Sequence, residues 1–157
     1  MNIEVVERKY QPTLCIKTST SMEKLPELIE KSYHRIMEHM EEIGEELHGE
    51  PYVGYFHMEI QRMDVEIGIP VGKFLPGKDD IIPGEIPEGT VVTALYQGPY
   101  RELKAAYDEV IEWISVHGYK PTGTAYEIYY NSPAEVKESE LLTRIEFPIN
   151  RVKVENI

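Results

Sequence analysis

Two strand-helix-strand-strand units in tandem, forming an α+β fold with pseudo-two-fold symmetry, is the architecture this sequence predicts. Three observations carry it. The apolar strand Met63-Asp64-Val65-Glu66-Ile67-Gly68-Ile69-Pro70-Val71 is echoed by Leu141-Leu142-Thr143-Arg144-Ile145-Glu146-Phe147-Pro148-Ile149, each running into proline. Shorter strand segments that open on proline, Pro51-Tyr52-Val53-Gly54-Tyr55 and Pro121-Thr122-Gly123-Thr124-Ala125-Tyr126, precede them. Before each of those lies an amphipathic helix that ends near a glycine, Gly44 and Gly118. Two copies of a small unit, neither able to bury its own sheet, pair about a pseudo-two-fold axis, and the groove between the halves is then the natural ligand site.

The elements follow in order. Ile3 and Val5 alternate with Glu4 and Val6 over residues 2–8, and Leu14, Ile16 and Thr18 alternate after Pro12, so two strands open the chain. From Ser21 the period changes: Leu25, Leu28, Ile29, Ile36, Met37, Met40, Ile43 and Leu47 share one helical face, with Ser21 in the N-cap region. Gly44 either sits inside this helix or stops it. Strands at 51–57 and 63–71 close the first half-repeat, approximately residues 1–71. Residues 72–89 are rich in Gly, Pro, Lys and Asp, with turn signals at Pro76-Gly77, Pro83-Gly84 and Pro87-Glu88-Gly89, and form the connecting loop with a short strand at Ile81-Ile82.

The second half-repeat, approximately 81–150, contains the β-branched run Thr90 to Tyr96 and a strand-to-helix switch at Gly98-Pro99. Its helix stripe is Leu103, Tyr107, Val110, Ile111 and Ile114, ending at His117-Gly118. Strands at 122–130 and 140–149 follow, and the tail from Arg151 to Ile157 is an extension. The whole chain, 1–157, is one domain.

At 157 residues and 41% hydrophobic content the chain has globular composition. Its apolar stretches are strand-length, and Met1 to Glu7 lacks a basic region before an apolar core, so neither membrane insertion nor a secretory signal is expected. A single cysteine, Cys15, rules out an internal disulfide and makes a cytoplasmic location the default. The net charge of -12 with no Lys/Arg cluster argues against direct nucleic-acid binding. Acidity also concentrates cationic small molecules, although a solvated Glu-rich helix accounts for most of it.

The residue that carries chemistry is Glu127. In Ala125-Tyr126-Glu127-Ile128-Tyr129-Tyr130 the two-residue period puts Glu127 and Tyr129 on one face and Tyr126, Ile128 and Tyr130 on the other. A carboxylate in the middle of an apolar, aromatic strand is costly if buried, unless paired, hydrogen-bonded or protonated. Either it compensates a ligand cation or moves a proton in an aromatic pocket, or it lies on a solvated face beside Lys120 or Arg144; the strand alone weights the two equally. Cation-π attraction adds roughly 0.5 to 2 kcal/mol per ring, so several rings and one carboxylate could hold a lipophilic cation.

Eleven tyrosines against three phenylalanines and one tryptophan fit a wet aromatic groove and equally fit strand propensity. Tyr33 and Tyr107 lie on helix stripes and read as core; Tyr55, Tyr96, Tyr100, Tyr129 and Trp113 can reach the seam, Trp113 falling just off its stripe. His57 matches Glu127 when Pro51 is aligned with Pro121, and is a pocket candidate on that alignment. His34 and His39 stand about 140° apart on a helix and share no metal site; His34 with Glu38 reads as a surface pair. Cys15 reads as a small apolar residue. No phosphate loop, nucleophile elbow or metal pattern is present, and no cofactor is expected.

Val92 through Gly98-Pro99-Tyr100, Leu103, Tyr107, Trp113 and Gly118, then Glu127-x-Tyr129-x-Asn131-x-Pro133, then Thr143-x-Ile145-x-x-Pro148-Ile149, together resemble the GyrI-like small-molecule-binding family. That family includes effector-binding domains of AraC- and MerR-type transcription regulators. The resemblance implies antiparallel sheets with two long helices on one side and a groove between the halves. It also implies a multidrug-type site for amphipathic, cationic small molecules, with Glu127 on the floor and Tyr129 two residues on; Tyr96, Tyr55 and Trp113, which can reach the seam, are the further candidate walls. Some stand-alone relatives are similar to hydrolases of strained, cyclopropane-containing electrophiles, and on that reading Glu127 and Tyr129 would be catalytic. Others bind DNA gyrase, which makes gyrase a candidate protein partner. Residue 1 already stands at the first strand with no helix-turn-helix before it, so a stand-alone module is expected.

Overall fold

The first half supplies four strands and a helix and the second five strands and a helix, and the strands join in one curled antiparallel sheet. The computed structural model describes residues 1–59 and 62–151. In the first half these are β1 (Ile3–Arg8), β2 (Gln11–Thr20), α1 (Leu25–Glu42), β3 (Tyr52–Glu59) and β4 (Arg62–Pro70). In the second they are β5 (Ile82–Ile86), β6 (Gly89–Gln97), α2 (Leu103–Val116), β7 (Tyr119–Pro121), β8 (Ala125–Tyr129) and β9 (Leu142–Arg151). Single 3₁₀ turns stand at Tyr100–Glu102 and Glu138–Glu140.

The strands are ordered β1-β6-β9-β8-β3-β4-β2-β5, with β7 on the far end of β9. The ladder from Ile3↔Ala94 to Arg8↔Gly89 continues in the same register from Gln11↔Ile86 to Cys15↔Ile82. So β1 with β2, and β5 with β6, form one long bent pair that closes the sheet on itself. The short strand expected at Ile81-Ile82 is β5, one partner in that closure. The halves meet through β3 and β8, where Val53 is the cross-strand partner of Glu127.

Both helices lie on one face of the sheet. Val92, Ala94, Ile145 and Phe147 pack against Val110 and Ile114 of α2, and Leu14, Ile16 and Ile69 pack against Ile36 and Met40 of α1. Strand alternation sends Tyr52, Tyr126, Glu66 and Glu146 to the other face. No helix covers that face, yet Tyr52, Ile86 and Tyr126 form a buried cluster on it, because the sheet curls around them.

Two boundaries differ from expectation. Helix α1 starts at Leu25, with Pro26 in its first turn, not at Ser21, whose hydroxyl accepts from the Lys24 amide at 3.4 Å ahead of the helix. Its end is settled at Gly44, in the left-handed region at φ 70°, where the Gly44 amide reaches Glu41 O and the Glu45 amide reaches Met40 O. Ile43 and Leu47 therefore lie beyond the helix. Gly118, at φ 78°, ends α2 in the same conformation. The strand expected over 122–130 is divided: Pro121 closes β7, and β8 begins only at Ala125. Arg151 ends β9; the remainder of the tail lies outside the described residues.

Tyr52 shows how tightly the curled face is packed. Its hydroxyl donates to Glu66 Oε2 at 2.6 Å and lies 2.9 Å from Thr13 Oγ1, and a Cβ on Gly68 would stand 2.6 Å from that oxygen. Because the ring is pinned at its tip, Gly68→Ala is expected to destabilise the protein by about 1 to 3 kcal/mol, read as a lower urea midpoint with unchanged slope. Cys15, also on this face, is fully buried, and burial pushes its thiol pKa up to about 12, which leaves it unreactive.

Candidate functional site

The site is a carboxylate held by tyrosines where both helices meet the sheet. Glu127 is in the middle of β8 on the helix face and is 7% exposed. Tyr107, from α2, donates its hydroxyl to Glu127 Oε2 at 2.5 Å, and Tyr129, two residues along β8, donates to Oε1 at 2.7 Å. The Tyr55 hydroxyl, from β3, lies 3.5 Å from that of Tyr129 and also supports the carboxylate. Tyr33, from α1, joins the cluster and ties its own hydroxyl to Tyr52 O at 2.8 Å. Tyr100, in the 3₁₀ turn before α2, stands edge-on to Tyr129 with ring centroids 6.1 Å apart and is 40% exposed, so it marks where the cluster meets solvent.

Among the described residues no Lys, Arg or His pairs with Glu127. Burial raises its pKa above the usual carboxylate value, and the hydrogen bonds from Tyr107, Tyr129 and Tyr55 oppose that rise. The tyrosines are shifted upward in turn, first by burial and then by the carboxylate's charge, so they remain neutral donors. The result is an ionisable group with hydrogen bonds and no counter-ion.

The halves explain the geometry. Tyr33 and Tyr107, Tyr55 and Tyr129, and Val53 and Glu127 are each separated by the same number of residues, so the tyrosines are two pseudo-symmetric pairs around the Val53↔Glu127 partnership. That register also corrects the equivalence of His57 with Glu127, since Pro121 belongs to β7 and the true counterpart is Val53. The His57 side chain lies outside the described part of the structure.

Tyr107 and Tyr33, expected in the core, are members of the cluster. Both carry a helix-stripe signal, but a tyrosine in an apolar stripe needs a partner for its hydroxyl, and that need is the clue the stripe alone hides. Trp113 is not brought to Glu127: it stacks on His117 at 3.8 Å and parallels Tyr119 at 6.5 Å, at the other end of α2. Tyr96 is on the helix face of β6 and packs against the α2 core, its hydroxyl donating to Pro99 O at 2.8 Å rather than to the carboxylate. His34 pairs with Glu38 at 3.9 Å in solvent. Among the described residues no group of three or more His, Cys, Asp and Glu is placed to hold a metal ion. None of the helices described is long and apolar enough to cross a membrane.

A duplicated α+β domain with a tyrosine-lined acidic centre at its pseudo-symmetry axis is the frame of a small-molecule-binding domain. The chain belongs to the GyrI-like small molecule binding domain family, whose model matches residues 1–150. No curated protein sequence matches it significantly. Among solved structures it is similar to EcmrR in a complex with DNA, at 24% identity and a TM-score of 0.84, over 96% of this chain and 58% of that one. This chain thus spans under two thirds of EcmrR. The isolated EcmrR C-terminal domain gives 24% identity and a TM-score of 0.82, over 96% and 98%. A hydrolase from Listeria innocua is similar at 14% identity and a TM-score of 0.70, over 94% and 91%. SAV2435 bound to tetraphenylphosphonium is similar at 11% identity and a TM-score of 0.63, over 96% and 94%. At these identities the likeness carries the fold.

Proposed function

We propose that this domain binds amphipathic organic cations at the tyrosine cluster, with Glu127 as counter-charge and Tyr55, Tyr100, Tyr107 and Tyr129 as aromatic surface. One observation carries the reading: Glu127 is buried among neutral phenols, with no cation of its own among the described residues. A carboxylate so placed is repaid when a ligand brings the missing charge and leaves its apolar groups against rings. Strongly hydrated cations such as ammonium would lose more in desolvation than the site returns; diffuse, lipophilic ones would not. The bound tetraphenylphosphonium of SAV2435, a relative in fold, is a cation of that kind.

The test is calorimetric titration of tetraphenylphosphonium into wild type and Glu127→Gln, with product analysis. Saturable binding that the substitution weakens supports the reading; equal affinity removes Glu127 from it. A pH series adds a second check. Since the folded pKa of Glu127 lies above 4.5, affinity is expected to fall as pH drops through that raised value, where the carboxyl becomes neutral, and to stay flat in Glu127→Gln.

A second reading, hydrolysis of a strained electrophile, is favoured by the same raised pKa, which suits a general acid or base, with the Tyr129 hydroxyl 2.7 Å away. Product formed by wild type and lost in Glu127→Gln would make this an enzyme.

A further inference from the structure

Thr143 lies on the same face, paired through its backbone with strands on both sides, and its hydroxyl adds no bond to the fold. It is fully buried, and its Oγ1 has no hydrogen-bond partner among the described residues, although buried hydroxyls almost always find one. In β9 it alternates with Arg144, sharing the helix face with Ile145 and Phe147 of the α2 core. Its cross-strand partners are Tyr129 on β8 and Tyr96 on β6. The residue next to it on that face, Ile145, is the partner of Glu127. The neighbouring hydroxyls are already committed, Tyr129 to Glu127 and Tyr96 to Pro99 O. Valine has the same shape and would leave no oxygen stranded, so packing does not account for a threonine here.

We infer that Thr143 is a specificity residue of this site, its hydroxyl reserved for a polar oxygen or nitrogen on the bound cation. This rests on the cation-binding reading, and it narrows the ligand class. The preferred guest is an aromatic cation that carries a hydrogen-bonding group beside its charged centre, not a wholly apolar one. Glu127 then answers the charge, the tyrosine rings answer the apolar surface, and Thr143 distinguishes among cations that satisfy both. A threonine hydroxyl can donate or accept, so either kind of group is served.

The test compares tetraphenylphosphonium with its three analogues bearing one hydroxyl at the ortho, meta or para position of a single ring, on wild type, Thr143→Val and Thr143→Ser. At least one analogue is expected to bind wild type about two- to tenfold tighter than the parent, the range of one net hydrogen bond. Thr143→Val is expected to abolish that preference while leaving the affinity for the parent unchanged, and Thr143→Ser to restore it. Thermal melting supplies the control: Thr143→Val is expected to melt at or above wild type, because it removes a stranded oxygen. A preference that persists in Thr143→Val, no preference for any analogue in wild type, or a marked loss of stability in Thr143→Val would overturn the inference while the cation reading stands. If wild type binds none of the four cations, both fall together.

Discussion

Glu127→Gln is expected to weaken binding of tetraphenylphosphonium by about 2 to 5 kcal/mol, a loss of roughly 30-fold or more, and at the same time to raise the melting temperature at pH 7. The two effects have one cause. Gln keeps the shape of the side chain, an oxygen to accept from one of Tyr107 and Tyr129 and an amide N–H to donate to the other, but it removes the charge that the cation needs and that the free protein must bury. The direction with pH follows from linkage. Below about 4.5 the carboxyl is protonated in the folded and unfolded chains alike, and burial penalises neither. As pH rises through the raised folded pKa, the unfolded chain sheds its proton first, so wild-type stability declines across that window while the variant's does not. The gap in melting temperature should therefore open as pH rises above about 4.5 and level off above the raised folded value. A variant that is both less stable and unchanged in affinity would show that Glu127 serves the fold.

The asymmetry at the axis belongs to the same argument. Val53 and Glu127 are direct cross-strand partners, and such partners have Cβ atoms about 4.5 to 5.5 Å apart. A second carboxylate there would either bury two negative charges side by side or share one proton with the first, spreading a single charge over both groups instead of fixing it on one. The duplication thus supplies the tyrosines in pairs and the charge only once.

Much of this was legible in the residues, and what was not has definite reasons. The strand-helix-strand-strand order came from hydrophobic period, proline and glycine, all of which act locally. Glu127 stood out because a mid-strand carboxylate among aromatic residues violates the burial pattern. Tyr107 and Tyr33 did not stand out, because a core phenol and a ligand-facing phenol give the same helical stripe; only the partner of the hydroxyl separates them. His57 was paired with Glu127 through prolines that occupy different elements, Pro121 ending β7 rather than opening β8. The closure of the sheet through β1-β2 and β5-β6 depends on contacts between distant segments, which periodicity does not record. Thr143 carries no signal in the sequence, because a strand threonine with a bonded hydroxyl and one without read alike.

Arg8→Met carries the second large expected effect, on the face away from the helices. Arg8 is the last residue of β1, at the bend where the curled sheet closes, and its guanidinium grips Glu146 of β9 with Nε at 2.6 Å and a terminal nitrogen at 2.5 Å from Oε1. The Glu146 side chain is only 8% exposed and that of Arg8 18%, so removing the arginine strands a largely dehydrated carboxylate beside Tyr126. Arg144, two residues away, is already engaged with Thr93 and Tyr130. The expected loss is about 3 kcal/mol, at the low end for a broken buried pair because some solvent reaches Arg8. For a chain of this size that is a fall of roughly 6 to 12 °C in melting temperature. Replacing both partners, Arg8→Met with Glu146→Leu, is expected to recover most of the loss, since two apolar side chains leave no charge stranded. A double-mutant cycle by urea denaturation measures the coupling, and strict additivity would show that the pair is not what closes the sheet. Tetraphenylphosphonium affinity of the folded double variant should match wild type, because Glu127 points to the opposite face.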